Sequence, residues 1–411
     1  MERILICHVQ RRQTPQIFAM EIQELERLVE TAGGQVVQIV TQKRERLDHR
    51  TILGRGKLEE AAEFVQSDGI DLVVFYESLS ARQNQVLEEV FGCRVIDRIQ
   101  LILDIFALRA RSRAGQLQVT LAQLNYFLPR IMGQGQHLSR LGGGIGTRGP
   151  GETKLEVDRR LIRRQIFEIK QELKELTKQR AQQRQKRLQN VSFQIGFVGY
   201  TNAGKSTLMN ALTAADTYEK DELFATLDPL TRQKDLGQGF KITLTDTVGF
   251  IHELPPSLIE AFQSTLEESR QMDLLIHVID ASDPNYSHQE LVVKDLLKDL
   301  KMDHLPTLHV YNKMDQTDGA FHPTHYPNIQ LSAKNVEDIE RFEELMLEQM
   351  KNILKRFELT INPGEMYQIE RMREQIYIES STFDEDAQKY LIVGYAREEV
   401  YEQLKSYLTF N

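Results

Sequence analysis

Residues 199–212 read GYTNAGKSTLMNAL and follow the apolar run SFQIGFV at 192–198. Gly199, Gly204, Lys205 and Ser206 complete the spacing G-x-x-x-x-G-K-[ST], which carries meaning only where a strand enters the loop and a helix leaves it. Both conditions are met here. Glycines let backbone N–H groups close around a phosphate, a lysine balances the β/γ charge, and the Ser206 hydroxyl is placed for Mg²⁺. The segment predicts a nucleotide phosphate site built from Gly199, Tyr200, Thr201, Asn202, Ala203, Gly204, Lys205, Ser206 and Thr207, inside a doubly wound, mostly parallel α/β domain.

The base is read farther along, in VYNKMD at 310–315. The Asp315 carboxylate can accept from N1–H and the exocyclic N2 of guanine, Asn312 can reach the other edge, and the Lys313 stem can cover the ring. Adenine offers no such donor pair and would leave the carboxylate unpaired, so GTP and GDP are the expected ligands. Ser332, Ala333 and Lys334 of LSAK follow, with the Ala333 N–H able to reach the guanine oxygen. Between the two lies LTDTVGF at 244–250, where Asp246 is expected on the Mg²⁺ water shell and Gly249 on the γ-phosphate. ELFATLDPLTR at 222–232 contains Thr226, preferred over Thr231 as a further Mg²⁺ ligand. In order and spacing these stretches resemble the five motifs of translation-factor-class GTPases. The group expected to act in hydrolysis is Lys205, Thr226, Gly249 and Asn202. Phe250 stands where signalling GTPases carry a water-orienting glutamine, and a phenyl ring cannot orient water, so unassisted hydrolysis should be slow. Asn202 matches the asparagine of potassium-stimulated GTPases and so admits K⁺; His252 is a further candidate for positioning water.

Outward from this core, four parts are expected. Residues 1–108 alternate short β-type runs (RILICHV, QVVQIV, DLVVFY, RVIDR) with amphipathic helical stretches, which indicates a small parallel α/β domain. Its loop GRGKLEE precedes a helix whose N-terminus could hold an anion, although a plain turn and helix start explains it as well. From 109 to 190 the pattern turns helical: Leu117, Leu121, Leu124 and Leu128, then Ile162, Ile166, Ile169, Leu173 and Leu176, step by threes and fours. Two such seams predict a long antiparallel helical hairpin. Residues 191–356 form the GTPase domain, NILKRFELTINPGEMYQ reads as its exit, and 357–411 suggest two strands and a helix, a small α+β appendage. The start MERILICHVQRRQTPQ is charged and no run approaches a membrane span, so a cytoplasmic chain is expected, with at most peripheral membrane association. Cys7 and Cys93 have no cysteine or histidine partner nearby and read as reduced thiols.

Net charge is −9, yet residues 109–190 hold 18 Lys and Arg against 6 Asp and Glu, while the rest holds 33 against 54. A basic block in an acidic chain suits a polyanion, or a self-solvating helix face. At its centre lies LSRLGGGIGTRGPGETKLE, residues 138–156, with six of the 24 glycines. Together with GRGKLEE, GYTNAGKSTLMNAL, FATLDPLTR, DTVGFIHELP and NKMD, this stretch resembles HflX-type GTPases over roughly residues 1–360. The resemblance implies GTP hydrolysis stimulated by the ribosome, binding chiefly to the large subunit, and dissociation of stalled or idle ribosomes, with links to stress such as heat. Some members are associated with ATP-linked RNA unwinding by the amino-terminal region, but residues 1–108 hold no complete nucleotide motif. For the glycine-rich tip, Arg140 and Arg148 are expected on phosphates and the backbone of Gly142, Gly143 and Gly144 on ribosomal RNA. DNA is not expected as a partner, and the chain is expected to be monomeric. Two other readings stay open: a GTP-dependent switch docking a protein partner through the hairpin, and an RNA-remodelling enzyme driven from the amino-terminal domain.

Overall fold

The computed structural model describes residues 1–138, 154–187, 193–213, 223–224, 230–237, 239–246, 249, 272–317 and 321–407. They form two compact units. In the first, β1 (Arg3–Gln10), β2 (Gln35–Lys43), β3 (Leu72–Phe75) and β4 (Arg94–Asp97) are parallel, in the order β2-β1-β3-β4. Parallel neighbours need crossovers, which α1 (Pro15–Thr31), α2 (Arg55–Ser67) and α3 (Ala81–Phe91) supply. Helix cover on both faces explains why β1 is apolar nearly throughout, with Ile4, Leu5, Ile6, Cys7 and Val9 all buried. Ser80 and Gln83 form a capping box that starts α3, and Asp97 caps α4 (Arg98–Arg109) by accepting from the Gln100 N–H at 2.9 Å.

Strand order reverses between β1 and β3, where an open parallel sheet leaves a crevice beyond its carboxyl ends. Here the crevice is filled by the protein's own side chains. His8, at the end of β1, meets Glu21 of α1 at 2.9 Å and Glu77 beyond β3 at 3.0 Å, between the rings of Phe18 and Tyr76. Burial opposes its charge, but hydrogen bonds to the two carboxylates outweigh that and raise its pKa. Arg98 and Glu24 form a second buried pair at 2.6 Å.

The expected helical hairpin is present as α5 (Arg113–Leu138) and α6 (Lys154–Arg187). Arg113 grips both oxygens of Glu172, at 2.9 and 3.1 Å, so the start of α5 lies beside the middle of α6. α5 is also part of the first unit's core: Leu117 and Leu121 are buried, α5 lies against α3 and α4, and Tyr126 and Arg130 both reach Asp97, at 2.7 and 2.9 Å. Leu223 and Phe224 belong to this unit as well, Phe224 standing edge-on to Phe106 at 4.6 Å.

The second unit is built on a six-stranded sheet, β10-β9-β8-β5-β7-β6. Its strands are β5 (Phe193–Gly199), β6 (Leu230–Asp235), β7 (Lys241–Asp246), β8 (Leu274–Asp280), β9 (Thr307–Asn312) and β10 (Asn328–Gln330). Only β6 runs antiparallel to its neighbour. α7 (Lys205–Thr213), α8 (Tyr286–Asp299) and α9 (Val336–Ile353) accompany it. The core of this domain gathers Phe193, Ile195 and Phe197 of β5, Val278 of β8, and Phe342 and Met346 of α9.

The segment read from sequence as an exit is in fact a strand, β11 (Lys355–Ile361), whose alternate residues Phe357, Leu359 and Ile361 face a core. It pairs with β13 (Lys389–Ala396), which pairs with β12 (Ile376–Asp384), giving a three-stranded antiparallel sheet with α10 (Met366–Arg371) and α11 (Glu398–Tyr407). Its period-two pattern spans only seven residues beside a helix, which hides it in the sequence. Ion pairs Arg397–Asp273 and Lys241–Glu374, and the rings of Phe240 and Tyr377 at 5.9 Å, join this part of the chain to the domain of the six-stranded sheet. Among the described residues no helix is long and apolar enough to cross a membrane.

Candidate nucleotide site

β5 lies between β7 and β8, where the sheet's strand order reverses, and GYTNAG turns its carboxyl end into α7. The turn demands its glycines. A Cβ on Gly199 would lie 2.2 Å from the Val278 carbonyl oxygen; one on Gly204, which has φ +93°, would lie 2.2 Å from Asn312 Nδ2. Asn202 takes φ +61°, a conformation asparagine tolerates better than most residues. Lys205 heads α7 and is 6% exposed, its Nζ donating to the carbonyls of Gly199 and Tyr200 at 3.1 and 2.9 Å. Burial lowers its pKa to about 8, against the opposing charge of Asp246. It is therefore a buried cation held by neutral acceptors, a site where phosphate oxygens would be favoured.

Ser206 Oγ donates to Asp246 Oδ2 at 2.6 Å, which joins the head of α7 to the end of β7. A hydroxyl and a carboxylate so placed are hard oxygen donors suited to Mg²⁺, a cation that keeps several of its waters. Gly249 lies against the same group: a Cβ there would be 3.1 Å from Lys205 Nζ and 2.8 Å from Thr201 Cγ2.

Asn312, at the end of β9, is 2% exposed. Its Nδ2 donates to the Ala203 carbonyl at 2.9 Å and its Oδ1 accepts from the Ala333 N–H at 2.9 Å. Both ends of the carboxamide, and the Ala333 N–H expected on a guanine oxygen, are thus engaged in bracing three loops against one another. The reason is proximity: the three loops leave the same end of one parallel sheet, from β5, β9 and β10, and a buried amide takes the nearest partners. Lys313 turns the chain with φ +63° and donates from Nζ to Asp280 Oδ2 at 2.7 Å. Asp315 stays exposed, and a hydrogen bond from the Ser332 side chain holds its carboxyl below the usual range. Ser332 N–H donates to Asp338 Oδ2 at 2.8 Å, and Lys334 N–H points at Ser332 Oγ at 3.4 Å. Thr207 follows in α7, one residue beyond Ser206.

Asp280 and Asp338 escaped the sequence reading. Each lies outside the recognised motifs, and Asp280 is 33 residues from Lys313; only the parallel register of β8 and β9, which sets Asp280 beside Asn312, brings them together. Thr226, Phe250, His252, Arg140, Gly142, Gly143, Gly144 and Arg148 lie outside the described residues. GRGKLEE is a plain helix start: the Gly54 N–H donates to Gln42 Oε1 at 2.8 Å, while Arg55 pairs with Glu59 and Lys57 with Glu60.

With that geometry in place, similarity to known proteins is decisive. The chain is 46% identical over 99% of its length to GTPase HflX of Alkalihalophilus pseudofirmus, covering 97% of that protein. It belongs to the HflX GTPase family. GTPase HflX of Escherichia coli strain K12 is 42% identical over 89% of this chain and 87% of its own. Residues 19–107 match the family described as GTP-binding GTPase N-terminal, 109–187 the GTP-binding GTPase middle region, and 194–313 the 50S ribosome-binding GTPase. A crystal structure of SsGBP in complex with GDP is similar in fold, with 24% identity and a TM-score of 0.50 over 85% of this chain and 98% of that one. As an HflX GTPase, the protein binds GTP and GDP and hydrolyses GTP, and its family is ribosome-associated.

Proposed function

We propose that this HflX GTPase binds the large ribosomal subunit through its basic hairpin and dissociates stalled or idle ribosomes into subunits in the GTP-bound state. The observation that carries this is the joining of a +12 segment, residues 109–190, to a GTPase domain inside an otherwise acidic chain. Such a segment concentrates lysine and arginine where RNA phosphates can displace counterions. In this reading Arg140 and Arg148 contact phosphates, and Gly142, Gly143 and Gly144 let the backbone approach RNA without side-chain obstruction. Residues 109–190 are then the probe and 191–356 the switch, flanked by the amino-terminal α/β domain 1–108 and the small carboxy-terminal domain 357–411, in a cytoplasmic monomer.

Within the switch, residues 199–207 hold the phosphates, Lys205 balances their charge and Gly249 reports the γ-phosphate. Asp315, Lys313, Ser332, Ala333 and Lys334 surround guanine, with Asn312 bracing the loops that carry them. Ser206, Asp246 and Thr226 would hold Mg²⁺, which supplies charge neutralisation across the β- and γ-phosphates, and Asn202 would take part in a K⁺ site. Phe250 leaves water orientation to a group supplied from outside, which suits hydrolysis stimulated by the ribosome.

Sedimentation of ribosomes with this protein and GTP, GDP or a non-hydrolysable GTP analogue tests the proposal. Free subunits should accumulate with GTP and the analogue and not with GDP. A variant lacking residues 141–147 should bind GTP normally and fail to split; full splitting by that variant would refute the role of the tip. Ribosome binding that withstands salt and RNase would point instead to a protein partner for the hairpin.

A further inference from the structure

We infer that Asp280 is a positioning residue for guanine nucleotides, holding the Lys313 side chain in place as the cover of the purine face. The inference rests on the reading of Lys313 as that cover. Asp280 ends β8, beside Asn312 in the parallel register, and the Ala281 N–H donates to the Asn312 carbonyl at 2.9 Å. The two strand ends are therefore hydrogen-bonded to each other up to the residues in question. The carboxylate divides its oxygens: Oδ2 accepts from Lys313 Nζ at 2.7 Å, while Oδ1 accepts from the Ser282 N–H at 3.0 Å and the Ser282 hydroxyl at 2.5 Å. Three donors fix the carboxylate, which in turn fixes the ammonium.

Lysine needs such an anchor. Its four-carbon stem is among the most mobile of side chains, and its ammonium is strongly hydrated, so an unanchored Lys313 would extend into water. The backbone at Lys313 is left-handed, which a non-glycine residue keeps only when its surroundings hold it. Those surroundings include the ion pair with Asp280 and, at the next residue, the Met314 N–H donating to the Leu331 carbonyl at 3.2 Å. Both members of the pair are mostly buried, with side chains 21% and 15% exposed for Lys313 and Asp280. A charge pair at that depth is less screened than a surface one and defines one position for the stem. The carboxylate thereby prepares an apolar surface from a charged residue, and that surface meets the ring face, not its edges.

This distinction supplies the test. In the full-length protein, titration calorimetry with GDP and IDP measures D280A, D280N, K313A and the double variant D280A/K313A. D280A should weaken GDP and IDP by the same factor, about tenfold, because the two bases share a ring face and differ only at an edge. D280N, which keeps an oxygen acceptor without the charge, should recover part of that loss and guards against misfolding of D280A. KM for GTP should rise in step while kcat at saturation holds. In the K313A background the D280A change should have no further effect. Unequal losses for GDP and IDP, unaltered affinity in D280A, or a full additional loss in the double variant would each overturn the proposal. If K313A itself binds GDP as tightly as the wild type, the reading of Lys313 as the ring cover is what fails, and the proposal falls with it.

Discussion

Removing the Asn312 carboxamide would leave the Ala203 carbonyl and the Ala333 N–H buried without their partners. Each such group costs about 1–3 kcal/mol, so N312A should weaken GDP binding by at least tenfold, measurable by calorimetry, with adenine nucleotides still excluded by Asp315. At Gly204 even one methyl has no room, since it meets Asn312 Nδ2 and a left-handed backbone at once. Lys205 makes binding pH-dependent. Its pKa of about 8 rises again when phosphate oxygens replace carbonyls around it, so nucleotide binding takes up a proton wherever the free lysine is neutral. Affinity should be nearly flat below pH 8 and fall above it, approaching about tenfold per unit. Calorimetry in two buffers of different ionisation enthalpy at pH 9 would detect the uptake, and a flat profile would show that Lys205 is charged throughout.

Elements of the two units carry pH signatures of opposite sign. In the amino-terminal sheet His8 ties β1 to α1 and to the end of β3, and its pKa is raised. The folded state then holds a proton the unfolded chain has lost, so this contribution is complete below about pH 6.5 and disappears as pH rises through the folded value. In the nucleotide-binding sheet, His277 on β8 and His309 on β9 meet at 5.4 Å between ring centroids, and burial pushes them down to about 3 and 4. There the unfolded chain binds the extra protons, so stability declines as pH falls below about 6.5. Urea unfolding from pH 5 to 9 should show H8Q losing the alkaline decline and H277N losing part of the acidic one, the remainder belonging to His309. The short apolar runs of β1, β3 and β4 and the seams of α5 and α6 were legible in sequence, because an apolar run between amphipathic stretches marks a strand covered on both faces and a three-four step marks a helix stripe. The buried faces of α5 were not, because period alone cannot say whether a leucine stripe meets a partner helix or the flank of a sheet. The same limit hid β11, whose three inward residues form a strand only because β13 lies beside them.

At the scale of the whole molecule, charge separation dominates. Ribosome binding governed by residues 109–190 should weaken steeply with salt, as counterions compete for phosphates. R140A/R148A should lessen both the affinity and its salt slope while leaving GTP affinity unchanged, as cosedimentation across a salt series would reveal. An unchanged slope would place the RNA contact elsewhere. The motifs from Gly199 to Lys334 pointed to a guanine nucleotide from sequence alone, since a phosphate-loop spacing and an NKMD run are each legible in a few residues at short spacing.

What the sequence determined by itself was pattern carried by contiguous residues: the phosphate-loop spacing at 199–206, the NKMD run that ends at Asp315, and a basic stretch from 109 to 190 rich in helical periodicity. Tertiary structure alone decided which distant groups hold these in place. Asn312 engages two loops through its amide, and Asp280 receives Lys313 across neighbouring strands. The physical reason is that hydrogen bonds at the ends of parallel strands join residues a whole crossover apart, a distance that no local spacing or periodicity records.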